Sequence, residues 1–327
     1  MGLYLYKLNF TSSLHLGTEG IGQEKIESLL HSDTLYNAII INWSLIYDDR
    51  IEDIAVNPLF KISSAFPFIG NKLFFPAPLG IFDKKMEDEK EDLKFWKKLE
   101  WIPEETLRSY LKKGVLEDSD YTELKKFFDD SKYFKKNKLN FGFEEERPRV
   151  TVDRVNNSSD EYFHSRDFAF KNNSGLFFLI DFDNEKLKQK FDASLSLLGD
   201  NGIGADRSIG KGLFDYTVGK IDFKIASEKD KSLLLSLYFP LQEEIENDLL
   251  IYSDYKLKER FGYIGWINSS GKKRNKIRML AEGSVLNMKG RLGGSVVKVA
   301  SVKTGVPYDV YRNGEGFLLK IEGGENG

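Results

Sequence analysis

The segment formed by residues 202–212, GIGADRSIGKG, constrains the local fold more strongly than any other part of the sequence. It has glycine at positions 202, 204, 210 and 212. Glycine adopts positive φ at little cost and lets two backbones approach closely. A helical pattern precedes the segment and a strand-like pattern, LFDYTVGKIDFKI, follows it. The segment is therefore either a tight helix-to-strand connection or a loop that contacts a ligand through its backbone.

Two nucleotide-binding motifs fail by position in this segment. The dinucleotide pattern GxGxxG needs a third glycine where Arg207 stands, and it follows a strand rather than a helix. The phosphate-binding pattern GxxxxGK followed by Ser or Thr has Ala205 at its first glycine and Gly212 at its hydroxyl position. On the functional side, a loop with exposed N–H groups and the side chains of Arg207, Ser208 and Lys211 suits a phosphodiester backbone.

The charge of the chain is distributed unevenly. The formal net charge is −3 over 327 residues, yet residues 256–303 contain twelve Lys and Arg against two acidic residues. Such a local field can hold an anionic ligand. Aromatic residues beside it favour nucleic acid, whereas a solvated hairpin tip is the alternative. The basic residues are densest at Lys272, Lys273, Arg274, Lys276 and Arg278, and the aromatics are Phe261, Tyr263 and Trp266.

Other classes of protein are disfavoured by composition. The chain has no cysteine and three histidines. The missing cysteine excludes disulfide scaffolds, Cys-ligated zinc, iron–sulfur clusters and thiol nucleophiles, and the few histidines argue against a multi-His metal site. We therefore expect no metal and no cofactor. The sequence has no cleavable signal and no apolar run of about 18 residues, so we expect a cytoplasmic protein without a membrane partner.

The periodicity predicts strands and helices that alternate in two similar halves. A strand is expected at 3–10, and a helix from about Asp33, capped by Ser32 or Asp33. Its apolar face is Leu35, Ile39, Trp43 and Ile46. A second helix follows 183–184, with Leu187, Phe191, Leu195 and Leu198 buried and Gly199 at its end. The order predicts an α+β fold of two ferredoxin-like (RRM-like) domains, 1–225 and 226–327. The first carries a large helical insertion at about 81–140, in which residues 81–130 hold 15 acidic and 11 basic residues and are interpreted as a solvated helical surface.

The glycine pattern resembles a known family. Read as GΦGxxxxxGxG after the second helix of a ferredoxin-like domain, it matches the hallmark of the RAMP superfamily of CRISPR RNA-binding proteins position for position. Further segments are similar to one branch, the end-capping subunit of Csm-type (type III-A) CRISPR effector complexes. These segments are LHSDTLYNAI at 30–39, RPRVTVDRVNNSSD at 147–160, GLFFLIDF at 175–182, NKIRMLAEGSVL at 275–286 and YRNGEGFLLKI at 311–321.

The resemblance implies a subunit that holds the 5′ handle of the CRISPR RNA. It implies docking against the large polymerase-like subunit and a backbone RAMP subunit, and a part in self versus non-self discrimination. A thumb-like β element at about 145–165 is implied, in which Arg147–Arg154 and a turn at Asn156–Asp160 meet the RNA and the neighbouring subunit. The first-strand loop, Ser12–Gly17, is expected to face the same groove. The implied RNA-binding residues are Ser12, His15, Arg147, Arg149, Arg154, Gly202, Ile203, Gly204, Arg207, Ser208, Gly210, Lys211 and Gly212, with Lys272, Lys273 and Arg274 from the basic segment.

Catalysis is the main alternative to binding. Some RAMP proteins cut RNA without metal by means of a histidine, and His15 lies in the loop where such a residue could sit. His31 and His164 are interpreted as structural, and Asp33 as a helix cap rather than a metal-dependent catalyst. We favour a non-catalytic scaffold over a metal-independent endoribonuclease that processes CRISPR RNA precursors. A nucleotide-binding enzyme is disfavoured because both phosphate-loop patterns fail.

Overall fold

The structure is a computed structural model of the chain. It describes residues 3–17, 26–82, 99–135, 138–153, 155–156, 158–182, 184–227, 231–264, 272–287, 293–301, 303 and 308–323. The predicted Arg154 and Trp266 lie outside these ranges.

The described residues form a mixed α+β fold with antiparallel sheets, as the alternating pattern predicts. Among them, no helix is long and apolar enough to cross a membrane. The helices are α1 (Ser32–Tyr47), α2 (Ile51–Val56), α3 (Glu104–Lys113), α4 (Asp118–Asp129), α5 (Leu187–Asn201) and α6 (Gln242–Glu246). The strands of the first half are β1 (Leu3–Phe10), β2 (Phe60–Ile62), β3 (Phe66–Ile69), β4 (Lys72–Pro76), β5 (Trp101–Pro103), β6 (Phe134–Lys135), β7 (Lys138–Leu139), β8 (Gly142–Asp153), β9 (Ser158–Phe170), β10 (Ser174–Phe182) and β11 (Phe214–Ile221). Those of the second half are β12 (Ser232–Leu234), β13 (Leu257–Arg260), β14 (Ile277–Leu280), β15 (Val285–Leu286), β16 (Val297–Ala300), β17 (Val310–Arg312) and β18 (Leu318–Lys320).

The main sheet has the strand order β11–β1–β10–β3–β4–β5, and β2 also pairs with β10. Each of these pairs is antiparallel. Helices α1 and α5 pack against each other and share one core with the sheet. Tyr6 of β1 stacks on Phe178 of β10, with ring centroids 5.2 Å apart. Phe191 of α5 packs edge-to-face against Tyr6, also at 5.2 Å.

Strand β10 is buried on both of its faces. Phe178 and Ile180 point into the core under α1 and α5. Phe177 and Leu179 point the other way, into a second core that includes Leu233 of β12 and residues of β15 and β18. Alternate residues of a strand face opposite sides of the sheet. The continuous apolar run GLFFLIDF therefore reflects burial between the helices and the second half.

The second half is built from small antiparallel sheets. They have the orders β15–β12–β18, β13–β14 and β16–β17. Hydrogen bonds tie this half to the first one. The N–H of Ser64 donates to the carbonyl of Leu235 at 2.8 Å, and the N–H of Leu237 donates to Ser32 Oγ at 2.9 Å.

The insertion at about 81–140 contains strands as well as helices. Its described part comprises β5, α3, α4 and the hairpin β6–β7. Leu107 and Leu111 of α3 and Leu124 of α4 belong to the second core. The interpretation as a solvated helical surface is thus incomplete, because the apolar sides of α3 and α4 are buried.

The two helices predicted from periodicity are confirmed, with local differences. Leu35, Ile39 and Trp43 are buried on α1, but Ile46 is largely exposed in its last turn. Helix α5 runs two residues beyond Gly199 and ends at Asn201. Position 199 lies inside the helix and requires glycine, because a Cβ there would lie 2.4 Å from the carbonyl oxygen of Phe214. Gly202, with φ of 77°, follows the helix instead.

Strands β8 and β9 form a long hairpin in the region of the expected thumb. They pair from Gly142 opposite Phe170 to Asp153 opposite Ser158, with an irregularity after Thr151. Strand β8 ends at Asp153 and β9 begins at Ser158, inside the predicted turn of 156–160. Val150 and Val152 are about half exposed near the tip.

Candidate nucleic-acid interface

The glycine loop, residues 202–212, connects α5 to β11. All four of its glycines have positive φ, between 72° and 93°. At Gly204, a Cβ would lie 2.5 Å from the carbonyl oxygen of His15. At Gly210, by contrast, no atom lies within 4 Å of a Cβ position, and the residue is exposed. Close backbone packing thus explains Gly204, whereas the open side of the loop is at Gly210.

The first-strand loop, Ser12–Gly17, is bonded directly to the glycine loop. The N–H of Ala205 donates to the carbonyl of His15, and the N–H of Gly212 donates to that of Ser13, both at 2.9 Å. The N–H of Leu213 donates to Ser12 Oγ at 2.9 Å. The two loops therefore form one surface, and the Ser12 hydroxyl has a structural bond within it.

The outer edge of the glycine loop is exposed. A single 3-10 turn spans Arg207–Ile209, and Arg207, Ser208 and Ile209 all face solvent. No ion pair to Arg207 is present within the described ranges. Arg207 therefore presents its guanidinium group at the rim of the loop, where an anion can approach.

Lys211 is turned inward, which differs from the predicted arrangement. Its ammonium group ion-pairs with Asp167 of β9, whose carboxylate is fully buried, and Lys211 itself is 6% exposed. Burial lowers the pKa of Lys211, and the nearby Arg149 and Arg147 lower it further. A buried carboxylate needs such a partner. Lys211 thus supports the loop from below rather than offering a surface charge.

His15 is also buried in this supporting cluster. Its Nδ1 donates to the carbonyl of Arg166 at 2.7 Å and lies 3.3 Å from Asp167 Oδ1. Since a carbonyl oxygen can only accept, the Nδ1 atom carries the proton in this arrangement. These contacts fix the imidazole between the first-strand loop and β9.

The hairpin β8–β9 meets the glycine loop through Arg149. Its guanidinium group lies 2.8 Å from Asp206 of the loop. Arg147, two residues before it, is exposed and pairs with Glu145 at 2.8 Å. Alternate residues share a face of a strand, so Arg147 and Arg149 lie on the side of the hairpin that borders the loop.

The basic segment separates into exposed and buried groups. Lys272 and Lys273 are exposed, and Lys273 lies over the Tyr263 ring at 5.6 Å. Arg274 donates from Nη2 to the carbonyl of Tyr263 at 3.1 Å. Burial lowers the pKa of Arg274 to about 10, and the neighbouring Arg312 contributes to the shift. Lys272 and Lys273 are thus available at the surface, whereas Arg274 is largely enclosed.

A buried ionic cluster beside α1 was not predicted. Asp33 is not a helix cap: Arg260 donates to both of its carboxylate oxygens, at 2.9 and 3.1 Å, and Arg312 also pairs with it. Burial alone would raise the pKa of Asp33, but the two guanidinium groups hold it well below its ordinary value. The sequence separation of 279 residues between Asp33 and Arg312 leaves no local signal for this cluster.

Glu27 links the first-strand loop to the basic segment. Its N–H donates to the carbonyl of Leu16 at 2.8 Å, and its carboxylate pairs with Lys258 of β13 and with His31. Burial opposes ionisation, but His31 and Lys258 together lower the pKa of Glu27 to about 2. No direct contact joins Lys272 or Lys273 to the glycine loop in the described part of the chain. Within that part, no group of His, Asp and Glu is arranged to hold a metal ion.

Comparison with known proteins gives matches over most of the chain. Residues 227–321 match the family model of the CRISPR Csm4 C-terminal domain. A protein from Methanocaldococcus jannaschii named CRISPR system Cms protein Csm4 is 25% identical over 332 residues, covering 88% of this chain and 86% of its own length. A protein of the same name from Thermococcus onnurineus is 29% identical over 303 residues, covering 89% and 91%.

Solved structures share the fold. A chain in a crystal structure of a Csm1–Csm4 cassette in complex with pppApA aligns over 100% of both chains with a TM-score of 0.62 and 18% identity. A chain in a crystal structure of a Csm3–Csm4 subcomplex of the type III-A interference complex covers 98% of this chain and 99% of its own length, with a TM-score of 0.57 and 20% identity.

Proposed function

We propose that this chain, whose residues 227–321 match the family model of the CRISPR Csm4 C-terminal domain, is a Csm4-type protein and the subunit that holds the 5′ handle of the CRISPR RNA in a type III-A effector complex. In this role it acts in the cytoplasm as a scaffold without catalytic activity. By fixing the handle relative to the large subunit, it contributes to the discrimination of self from non-self.

One observation carries this proposal: three segments far apart in sequence converge on one surface. The first-strand loop is hydrogen-bonded to the glycine loop, and the hairpin reaches the same loop through Arg149 and Asp206. The exposed rim of this surface offers Arg207, the Ser208 hydroxyl and open backbone at Gly210. Guanidinium forks and backbone N–H groups suit phosphates of single-stranded RNA. His15 and Lys211 act beneath the surface, where they position the loop.

The proposed fold of the first half is ferredoxin-like. Strand order β11–β1–β10–β2, with α1 after β1 and α5 before β11, supports this proposal. We retain the division into domains 1–225 and 226–327, of which the second contains the Csm4 C-terminal match. The shared core around β10 binds the two domains closely together.

The proposed protein partners are those of similar proteins. Csm4 chains occur in structures with Csm1 and with Csm3. We propose that this chain likewise docks a large polymerase-like subunit and a backbone RAMP subunit. The exposed Val150 and Val152 near the hairpin tip offer an apolar surface for the neighbouring RAMP subunit.

Binding is favoured over RNA cleavage by the environment of His15. General acid–base catalysis needs a group within reach of the reacting phosphate. The His15 Nδ1 atom is occupied by the Arg166 carbonyl and the side chain is buried. Metal-independent processing of CRISPR RNA precursors is the second candidate. It stays a candidate because His15 borders the loop that the RNA is proposed to contact.

The experiment measures binding of the purified full-length chain to single-stranded RNA. We expect RNA with the 5′ handle to bind more tightly than a scrambled RNA of equal length, and Arg207→Ala to remove most of the difference. Arg50→Ala, at an exposed arginine of α2's start, is the matched control. Equal binding of both RNAs would contradict the proposal. Specific cutting in EDTA that disappears in His15→Ala would favour the endoribonuclease.

A further inference from the structure

We propose that a cleft at the base of the β8–β9 hairpin binds a nucleotide of single-stranded RNA. The cleft has a volume of about 420 Å³. It is lined by Lys135 and Lys138 of the β6–β7 hairpin, by Lys171 after β9, by Asn140, and by the ring of Phe143. The volume lies in the range of small-ligand sites.

The cleft concentrates positive charge without a compensating carboxylate. Among the described residues that line it, three are lysines and none is acidic. The Lys171 ammonium group donates to Asn140 Oδ1, whereas Lys135 and Lys138 are exposed. Several other surface lysines pair with a carboxylate, for example Lys298 with Asp309. Three lysines that line one cleft favour an anionic ligand.

Phe143 narrows the chemistry of this ligand to a nucleotide. Its side chain is 50% exposed, although the nearby Phe141 and Phe168 are buried and pack at 4.8 Å from each other. An exposed aromatic ring beside cations is the arrangement on which single-stranded bases stack while their phosphates meet lysines. An acidic peptide would satisfy the lysines but would leave the ring without a partner.

The cleft also continues the surface of the glycine loop. Phe143, Glu145, Arg147 and Arg149 occupy alternate positions of β8 and so share one face. On it Glu145 pairs with Arg147, and Arg149 reaches the glycine loop at Asp206. Arg149 follows Phe143 by six positions along the strand, a span of about 20 Å. A strand of RNA that leaves the glycine loop can therefore follow this face to the cleft. The identity of the ligand rests on the proposed RNA-binding function.

The test uses the full-length chain and a handle RNA extended at both ends with 4-thiouridine. We expect irradiation to cross-link the RNA at or beside Phe143, as mapped by mass spectrometry of the peptides. Phe143→Ala should weaken binding about 5-fold or more, the lower end of the stacking range. The double variant Lys135→Ala/Lys138→Ala should reduce the salt slope of log K by about 1.4. The double variant Lys113→Ala/Lys298→Ala, at two lysines with acidic partners, should change the slope less.

The outcomes separate this proposal from the proposed function. If Arg207→Ala weakens binding but Phe143→Ala and the Lys135/Lys138 variant do not, the cleft proposal is overturned and the handle-binding proposal stands. If none of these variants affects binding, both proposals fail. If a glutamate-rich peptide binds the cleft and the RNA does not cross-link there, the ligand is a protein segment and the cleft proposal is again overturned.

Discussion

The imidazole of His31 donates from Nδ1 to the carboxylate of Glu282, at 2.8 Å, and so joins the start of α1 to the turn between β14 and β15. On the other side of the ring, Nε2 lies 3.4 Å from Glu27. Burial alone would lower the pKa of His31, but Glu282 and Glu27 outweigh it and raise the pKa.

This contact predicts a stability that depends on pH. The pKa of His31 is about 6.5 in the unfolded chain and higher in the folded one. The stabilisation is therefore fully present below about pH 6.5 and is lost as the pH rises through the folded pKa. We expect the difference in free energy of unfolding between the wild type and His31→Gln to be larger at pH 6 than at pH 9, measured by urea titration. An equal difference at both pH values would contradict this assignment.

Replacement of Asp33 is predicted to lower the stability of the fold strongly. Asp33→Asn removes the counter-charge of Arg260 and Arg312, and breaking a buried ion pair in this way costs about 3–5 kcal/mol. Urea unfolding measures the change. The control is Asp53→Asn, because Asp53 is exposed and its pair with Arg50 spans 3.8 Å; it should change stability by less than about 1 kcal/mol. A similar loss of unfolding free energy for Asp33→Asn and Asp53→Asn would contradict the stabilising role of the cluster around Asp33.

Replacement of Arg207 should affect RNA binding, whereas replacement of Lys211 should affect the stability of the fold. We expect Arg207→Ala to lower RNA affinity and the salt slope with little change in stability, because Arg207 is exposed. Lys211→Ala should lower stability by about 3–5 kcal/mol, because it removes the ammonium counter-charge of the buried Asp167 carboxylate. Unfolding curves and fluorescence anisotropy distinguish the two effects. A Lys211→Ala variant of normal stability with weakened RNA binding would place its ammonium group at the surface.

Two glycines of the loop should respond differently to alanine. At Gly204, the new Cβ would meet the His15 carbonyl, and φ is 93°. At Gly210, φ is 81° and the surrounding space is open, so the cost is limited to about 1–2 kcal/mol of left-handed backbone strain. We expect Gly204→Ala to be the more destabilising in thermal or urea unfolding, by separating the two loops. An equal loss of stability in Gly204→Ala and Gly210→Ala would show that the close approach of Gly204 to the His15 carbonyl does not contribute to stability.

The parts of the fold that could be predicted are those encoded by short-range spacing. Leu35, Ile39 and Trp43 recur every four residues, and this spacing specifies the buried face of α1 whatever packs against it. Ile46 comes three residues after Trp43 and continues the helical period, but it lies in the last turn of α1 and is exposed. The neighbours that decide burial at a helix end are distant in sequence.

The site was predictable as a set of segments, but the direction of its side chains was not. The glycine spacing indicated a loop of close backbone contacts, which Gly204 confirms. Whether Lys211 faces outward or inward depends on Asp167, 44 residues earlier. A helix-start aspartate such as Asp33 is ordinarily a cap, and only Arg260 and Arg312, brought in by the second half, change its role.

The burial of β10 on both faces has a consequence for the synthesis of this protein. Phe177 and Leu179 share their core with Phe317, Leu319 and Ile321, so this core closes only after residue 321 has left the ribosome. Until then, part of this apolar sheet face is uncovered in a nascent chain, and exposed apolar surface promotes aggregation. Chaperone binding to nascent chains is thus expected to persist until these last strands are made.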